Sequence, residues 1–197
     1  AFIRATTCDS EGYATFEDEV MYLDALVIAE AVHNNGGIVM MQVQKMVKKA
    51  TLHPKAVRIP GYLVDIVVVD PAQTQLYGGA PVNRFISGDF TLDDSERVKI
   101  PLNQRKVVAR RALYEMKKGA IGNVGVGIAD GIGLVAREEG CDEDFVLTVE
   151  TGPIGGITTQ GVAFGANVNT RAILDMTAQF DFYHGGGLDV CYLSFAE

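Results

Sequence analysis

Hydrophobic residues along the chain recur with two different periods, and the order of those periods predicts the architecture. Phe2, Ile3 and Ala5 are interleaved with Arg4 and Thr6 as in a strand, and Asp9-Ser10-Glu11-Gly12 follows as a turn before Tyr13 to Phe16. Leu23, Leu26, Val27 and Ala31 then fall at helical spacing, which predicts a helix over residues 20–33 stopped by Asn34-Asn35-Gly36-Gly37. Ile38 to Val43 and Leu63 to Val69 read as buried strands, separated by a basic stretch from Gln44 to Pro60. A helix, a short glycine turn and an apolar strand in succession are the parts of a parallel-sheet unit.

From Pro71 to Pro101 the periodicity lapses for about thirty residues, too long for an ordinary connection. A second set of elements follows. Asn103 is placed to cap a helix over residues 104–118, with Val108, Ala109, Ala112, Leu113 and Met116 on one face. Arg105, Lys106, Arg110 and Arg111 lie mostly off that face. Residues 120–127 read as a strand, 131–139 as a helix stopped by Gly140, and Phe145 to Glu150 as the next strand. A short helix is predicted over Thr170 to Met176. Phe180 to Gly187 forms an aromatic cluster broken by three glycines, and Leu188 to Leu193 is a last strand.

Composition narrows the function classes. With 197 residues, 48% hydrophobic and 21% charged, the chain has the makings of one globular domain or two modest ones. No run approaches the ~18 apolar residues of a membrane span, and no signal segment opens the chain, so a cytoplasmic protein is expected. The net charge of -8 repels nucleic acid and anionic membranes, and any polyanionic ligand must be gripped by local devices such as backbone amides. Cys8, Cys141 and Cys191 are odd in number and irregularly spaced, which fits buried thiols rather than a disulfide frame or a zinc site. With His33, His53 and His184 as its histidines, the chain is not expected to build a metal centre.

Two features carry candidate chemistry. Gly125-Val126-Gly127-Ile128-Ala129-Asp130-Gly131 stands between a strand and a helix, where backbone amides approach a phosphate or a developing oxyanion. Its spacing is one residue off the dinucleotide fingerprint, and Glu150 follows about twenty residues later, where that fingerprint expects a ribose-binding carboxylate. An NAD-binding oxidoreductase is therefore one alternative, and tight strand-to-helix packing explains such glycines equally well. Glu150 itself ends an apolar strand and precedes Thr151-Gly152-Pro153 and Gly155-Gly156. An exposed carboxylate at a strand end is the plain explanation; a carboxylate framed by glycines is also suited to attack an acyl group. No G-x-S-x-G element competes with it. Cys141, among Asp142, Glu143 and Asp144, has a setting that raises a thiol pKa and makes a poor nucleophile. His184, Asp181 and Asp189 either face a ligand or punctuate a turn.

Leu147-Thr-Val-Glu150-Thr-Gly152-Pro153-Ile-Gly155-Gly156, Phe164-Gly165-Ala166 and Gln179-Phe-Asp-Phe-Tyr-His-Gly185-Gly186-Gly187-Leu-Asp189 together resemble the class I CoA-transferases. The closest likeness is to the acetate, propionate or acetoacetate type, which fuses two related halves in one chain. The resemblance implies an α/β fold of Rossmann-like open parallel-sheet halves. Residues 1–78 would be the latter part of the first half, 79–103 a linker, and 104–197 the opening of the second half. It implies Glu150 as the acyl-accepting nucleophile, and Gly125, Gly127, Gly131, Gly152, Gly185, Gly186 and Gly187 as oxyanion or CoA-site glycines. Ala129 stands where the family's G-x-G-x-P-x-G loop has proline. Acyl-CoA and short-chain carboxylates are the implied partners, with coenzyme A as substrate, no permanently bound cofactor, no metal and a homo-oligomeric assembly. The chain is expected to be a segment of a longer enzyme, and a catalytically incomplete acyl-CoA-binding fragment is the other alternative.

Overall fold

The computed structural model describes residues 1–76, 79, 81–93 and 99–194, and the boundary expected at Gly78, with part of the expected linker, lies outside them. The chain divides into two compact units, Ala1–Asn83 and Arg84–Glu197.

The first unit is a four-stranded sheet in the order β2-β1-β3-β4, made of β1 (Phe2–Asp9), β2 (Ala14–Thr15), β3 (Met40–Val47) and β4 (Ile66–Val69). β1, β3 and β4 run parallel, and β2 turns back on β1 through the Asp9 turn. Helix α1 (Ala25–Asn34) crosses from β1 to β3 and buries Ala29 against Ile3, Ala5, Met41, Val43, Ile59 and Leu63. The helix predicted from residue 20 begins five residues late because Leu23 takes a left-handed backbone (φ 51°), which no α-helix accommodates. The preceding loop instead lays Tyr22 edge-on to Phe16 and beneath the Arg58 guanidinium, 3.6 Å from the ring centre. β3 extends into the basic stretch beyond its predicted end at Val43. Lys45 lies 3.5 Å from Glu17 and Lys49 lies 2.7 Å from Glu11, so part of that charge is met locally.

The second unit opens with α2 (Gln104–Leu113), β5 (Ile121–Val124), α3 (Ile132–Glu139) and β6 (Val146–Thr148). β7 (Pro153–Ile154), β8 (Ile157–Thr158), β9 (Asn167–Val168), β10 (Ala172–Ile173), α4 (Met176–Phe182) and β11 (Val190–Tyr192) complete it. Its main sheet has the order β10-β7-β6-β5-β11, with β6, β5 and β11 parallel, β7 antiparallel to β6, and β10 antiparallel to β7. β8 and β9 form a separate ladder. The core joins Ala109 and Leu113 of α2, Ile132, Val135 and Ala136 of α3, and Val124 and Leu147 of the sheet. Asn103 caps α2, its side chain accepting the Lys106 amide at 2.9 Å, and Gly140 ends α3 in the left-handed conformation.

Three expectations are corrected here. α2 ends at Leu113 rather than Lys118, and the chain turns so that Met116 reaches Gly122 of β5. Val108 stays exposed while Lys106 is buried, its ammonium held by Glu138 (2.6 Å) and the Ile100 carbonyl (2.8 Å). Finally, Thr170 to Met176 is not a helix: Ala172 and Ile173 pair with Ile154 and Pro153, and the helix begins at Met176. Sheet pairing overrides weak local helical spacing.

The Lys106–Glu138 contact sets a pH dependence. The Lys106 ammonium, followed by the Ile100 amide at 3.0 Å, holds the Glu138 carboxyl below the ordinary glutamate value. A depressed folded-state pKa gives stability that is complete above the unfolded value and is lost as pH falls through the folded one. The thermal midpoint should therefore drop as pH falls below about 4.3, and Glu138→Gln should flatten that limb of the profile.

Candidate active site

The sequence directs attention to the end of β6. The strand stops at Thr148, and the chain reverses in a tight turn rather than continuing to residue 150. The Val149 amide donates to the Pro153 carbonyl (3.0 Å) and the Gly152 amide to the Val149 carbonyl (2.9 Å), so Glu150 and Thr151 are the central pair of the turn into β7. The turn is fastened at two further points. The Thr151 hydroxyl donates to the Gly165 carbonyl at 2.7 Å, and the Leu174 amide donates to the Gly152 carbonyl at 3.0 Å. Gly152 has φ 120°, and a Cβ there would stand 2.1 Å from the Leu174 carbonyl oxygen, so the position admits glycine alone.

Glu150 is half-buried, and its Oε2 is shielded from water with no hydrogen-bond partner among the described residues. Turns place their carboxylates in water or on backbone amides. A carboxylate oxygen held dry and unpaired is costly to stability and asks for a chemical explanation.

The glycine loop, residues 125–131, leaves the same edge. β5 and β6 are adjacent and parallel, with Asn123 opposite Thr148, so both Glu150 and the loop follow the carboxyl ends of neighbouring strands. The loop is braced on both sides. The Tyr192 carbonyl of β11 takes the Gly125 amide (2.8 Å), and Ser194 Oγ, two residues beyond that strand, accepts the amides of Ile128 (3.0 Å) and Ala129 (3.3 Å). From α2, Arg105 donates to the Gly127 carbonyl at 2.6 Å and to Asp130 at 3.3 Å, while Gln160 donates to the buried Asp130 at 2.7 Å. A Cβ on Gly127 would meet Ser194 Oγ at 2.9 Å, so glycine is what lets the loop close on β11. Gly131 lies at the start of α3, against Ala109. The amides of Ile128 and Ala129, which the sequence offered to an anion, are thus engaged by a hydroxyl within the unit. Ser194, Arg105 and Gln160 escaped sequence reasoning, since each reaches the loop across at least 22 residues.

Gly185, Gly186 and Gly187 do not join this edge. They continue α4 in a wider turn and precede β11, which runs parallel to β5, so they stand at the amino ends of the strands, opposite Glu150. Asp189 marks that edge: its amide donates to the Ile121 carbonyl (2.9 Å) and its carboxylate accepts the Ile121 amide (2.8 Å). Asp189 therefore punctuates the entry to β11, and the His184 ring lies 5.8 Å from that of Phe180. The Cys141 thiol is pushed up, by burial first and then by Glu139, Asp142 and Asp144.

Residues 1–70 match the family model described as coenzyme A transferase, and the whole chain is 91% identical to the acetate CoA-transferase YdiF of Escherichia coli K12. By these matches the chain is similar to a segment of a CoA-transferase. It spans 37% of the length of that relative. Across its whole length the chain is also 40% identical to the caffeate CoA-transferase of Acetobacterium woodii, covering 38% of it. In three dimensions it matches the crystal structure of the acyl-CoA transferase YdiF of Escherichia coli O157:H7 as a thioester complex with CoA, with a TM-score of 0.89 at 86% identity. That match covers 100% of this chain and 37% of the other. Among the described residues no helix is long and apolar enough to cross a membrane, and no group of three or more His, Cys, Asp or Glu is arranged to hold a metal ion.

Proposed function

We propose that the protein to which this chain belongs is a class I acyl-CoA transferase that moves coenzyme A between short-chain carboxylic acids, with Glu150 as its nucleophile. The observation that carries this reading is the dry Oε2 of Glu150, unpaired among the described residues, on a fastened turn at the carboxyl ends of the parallel strands β5 and β6. An unpaired carboxylate oxygen keeps its lone pairs for a carbonyl carbon, and the turn holds it without engaging it.

The chemistry runs in balanced steps. Glu150 attacks the thioester carbonyl of an acyl-CoA, the C–S bond breaks, and a mixed anhydride and CoA thiolate form. The thiolate attacks the glutamyl carbonyl, releasing the donor carboxylate and leaving a glutamyl-CoA thioester. An acceptor carboxylate attacks that thioester, and the displaced thiolate takes the acyl group from the new anhydride, which regenerates Glu150. The energy of the thioester is kept only while water stays out of the site, and contacts to the remote CoA moiety help to drive the attack. The loop 125–131, braced by Ser194, Arg105 and Gln160, supplies a rigid wall at the same edge. Residues 1–78 and 104–197 belong, on this reading, to the first and second halves of a fused enzyme, joined by a linker over 79–103, that works as a cytoplasmic homo-oligomer, with coenzyme A as a substrate and no resident cofactor.

The native protein incubated with acetyl-CoA and then borohydride should carry a reduced side chain at residue 150, seen by peptide mass spectrometry as conversion of the glutamate to its alcohol. Labelling that is absent, or that falls on another residue, overturns the assignment.

A further inference from the structure

Beneath the Glu150 turn lies a buried polar cluster that the reaction as described does not use. The Tyr183 hydroxyl donates to Asn123 Oδ1 at 3.0 Å, accepts Gln179 Nε2 at 2.8 Å and contacts Thr148 Oγ1 at 2.7 Å. Thr148 Oγ1 also lies 3.1 Å from the Gly122 carbonyl. Asn123 is 4%, Thr148 2% and Gln179 0% exposed, so the partners of the half-buried Tyr183 are shielded from water. Each member belongs to a different part of the site's frame. Thr148 ends the strand that delivers Glu150, Asn123 lies in the strand that feeds the glycine loop, and Gln179 and Tyr183 come from α4 and the turn that follows it. α4 side chains lean toward the helix amino terminus, which carries the Tyr183 ring back from the far edge toward the carboxyl ends of β5 and β6.

A polar hub at this depth needs a reason, because apolar residues would hold two strands and a helix together at lower desolvation cost. What hydrogen bonds add is direction. Glu150 has an oxygen with no partner among the described residues, so the carboxylate is aimed by its backbone, and the backbone by Thr148 two residues earlier. The separation between carboxylate and glycine loop is the separation between β6 and β5 at Thr148 and Asn123, where the Tyr183 hydroxyl contacts both side chains. The Glu150 charge also reaches the phenol: burial first, and then Glu150 and Cys191, push the Tyr183 pKa up against the hydrogen bonds that lower it.

We infer that Tyr183 is a positioning residue for acyl transfer, its hydroxyl fixing the Glu150 turn against the strand that carries the glycine loop. The inference rests on Glu150 being the acyl acceptor. Removing the hydroxyl leaves the ring packed on Phe180 and Phe182, so Tyr183→Phe keeps the fold while freeing Thr148 and Asn123. A misplacement of the order of 1 Å at a nucleophile costs roughly 100-fold in rate, and the expected loss in kcat lies between about 10-fold and that figure. KM for acyl-CoA should change by less than about twofold, because the hydroxyl's contacts are to Asn123, Gln179 and Thr148 and supply no uniform binding energy. Thr148→Val breaks the same hub, so the double variant should lose little more than the worse single one, as neighbours in one network do.

The test measures kcat, KM and the rate of borohydride-trapped labelling at residue 150 in the native protein, Tyr183→Phe, Thr148→Val and the double variant. Slow labelling with preserved KM and non-additive losses supports the inference. Labelling at the native rate in both single variants, a rise in KM with kcat intact, or additive losses overturns it. If Tyr183→Phe does not fold, the kcat-against-KM split in Thr148→Val decides alone. Failure of the underlying assignment is separable, because then the native protein itself takes no label at residue 150.

Discussion

Glu150→Ala should lower turnover by roughly four to six orders of magnitude while raising the thermal midpoint of the protein. The size of the first effect follows from removing a covalent nucleophile, for which losses of that order are typical. Its direction is not specific, since any essential residue would give it. The second effect is the discriminating one. A carboxylate serving structure is hydrogen-bonded, and its loss destabilises. Glu150 instead keeps one oxygen buried and unpaired, so truncation removes an unfavourable desolvation and leaves the turn, whose bonds run through the backbone of Val149, Gly152 and Pro153 and the side chain of Thr151. Loss of activity with gain of stability is the signature of a strained functional group. Calorimetry of the variant beside the native protein checks it: a midpoint lower by several degrees would mean that Glu150 is a structural residue. Binding of acyl-CoA, followed by titration in the absence of turnover, should change far less than kcat does.

The elements legible in the sequence are those whose signals are local. Asn103 before a helical period and Gly140 after one mark their helix ends, because a cap and a left-handed stop act within one turn of chain. The succession of strand, glycine loop, helix and strand put the loop and Glu150 at one edge for a topological reason that needs no side-chain detail. Where the expectations departed from the structure, a non-local partner decided. Ala172 and Ile173 are drawn into a strand by Ile154 and Pro153, and Lys106 is drawn into the core by Glu138. The braces of the site are of the same kind. Ser194 reaches the loop across 66 residues and Tyr183 reaches Asn123 across 60. Serines and tyrosines at such separations carry no pattern that a single sequence exposes. The three glycines at 185–187 show the converse: a conspicuous local motif whose place, at the opposite edge from Glu150, is fixed by the direction of β11.

Gly152→Ala should destabilise the second unit by at least about 3 kcal/mol and abolish labelling of Glu150 in whatever fraction stays folded. Two independent strains add at this residue. Its φ of 120° lies where an L side chain is rarely accepted, and a new methyl would stand 2.1 Å from the Leu174 carbonyl oxygen, a backbone atom unable to step aside alone. Relief requires the turn to part from Leu174, which gives up the Leu174-to-Gly152 hydrogen bond and loosens the pairing of β10 on β7. The turn then carries Glu150 with it, so stability and labelling fall together, in contrast to the opposed effects of Glu150→Ala. A loss of this size corresponds to a drop of roughly 10 °C in the midpoint for a unit of this length. Gly185→Ala is the control: nothing lies within 4 Å of its Cβ position and its backbone is unstrained. It should leave both the midpoint and the labelling rate close to native. Equal damage from the two substitutions would mean that the Gly152 contact with Leu174 does not hold the carboxylate in place, and that glycine content alone governs the site.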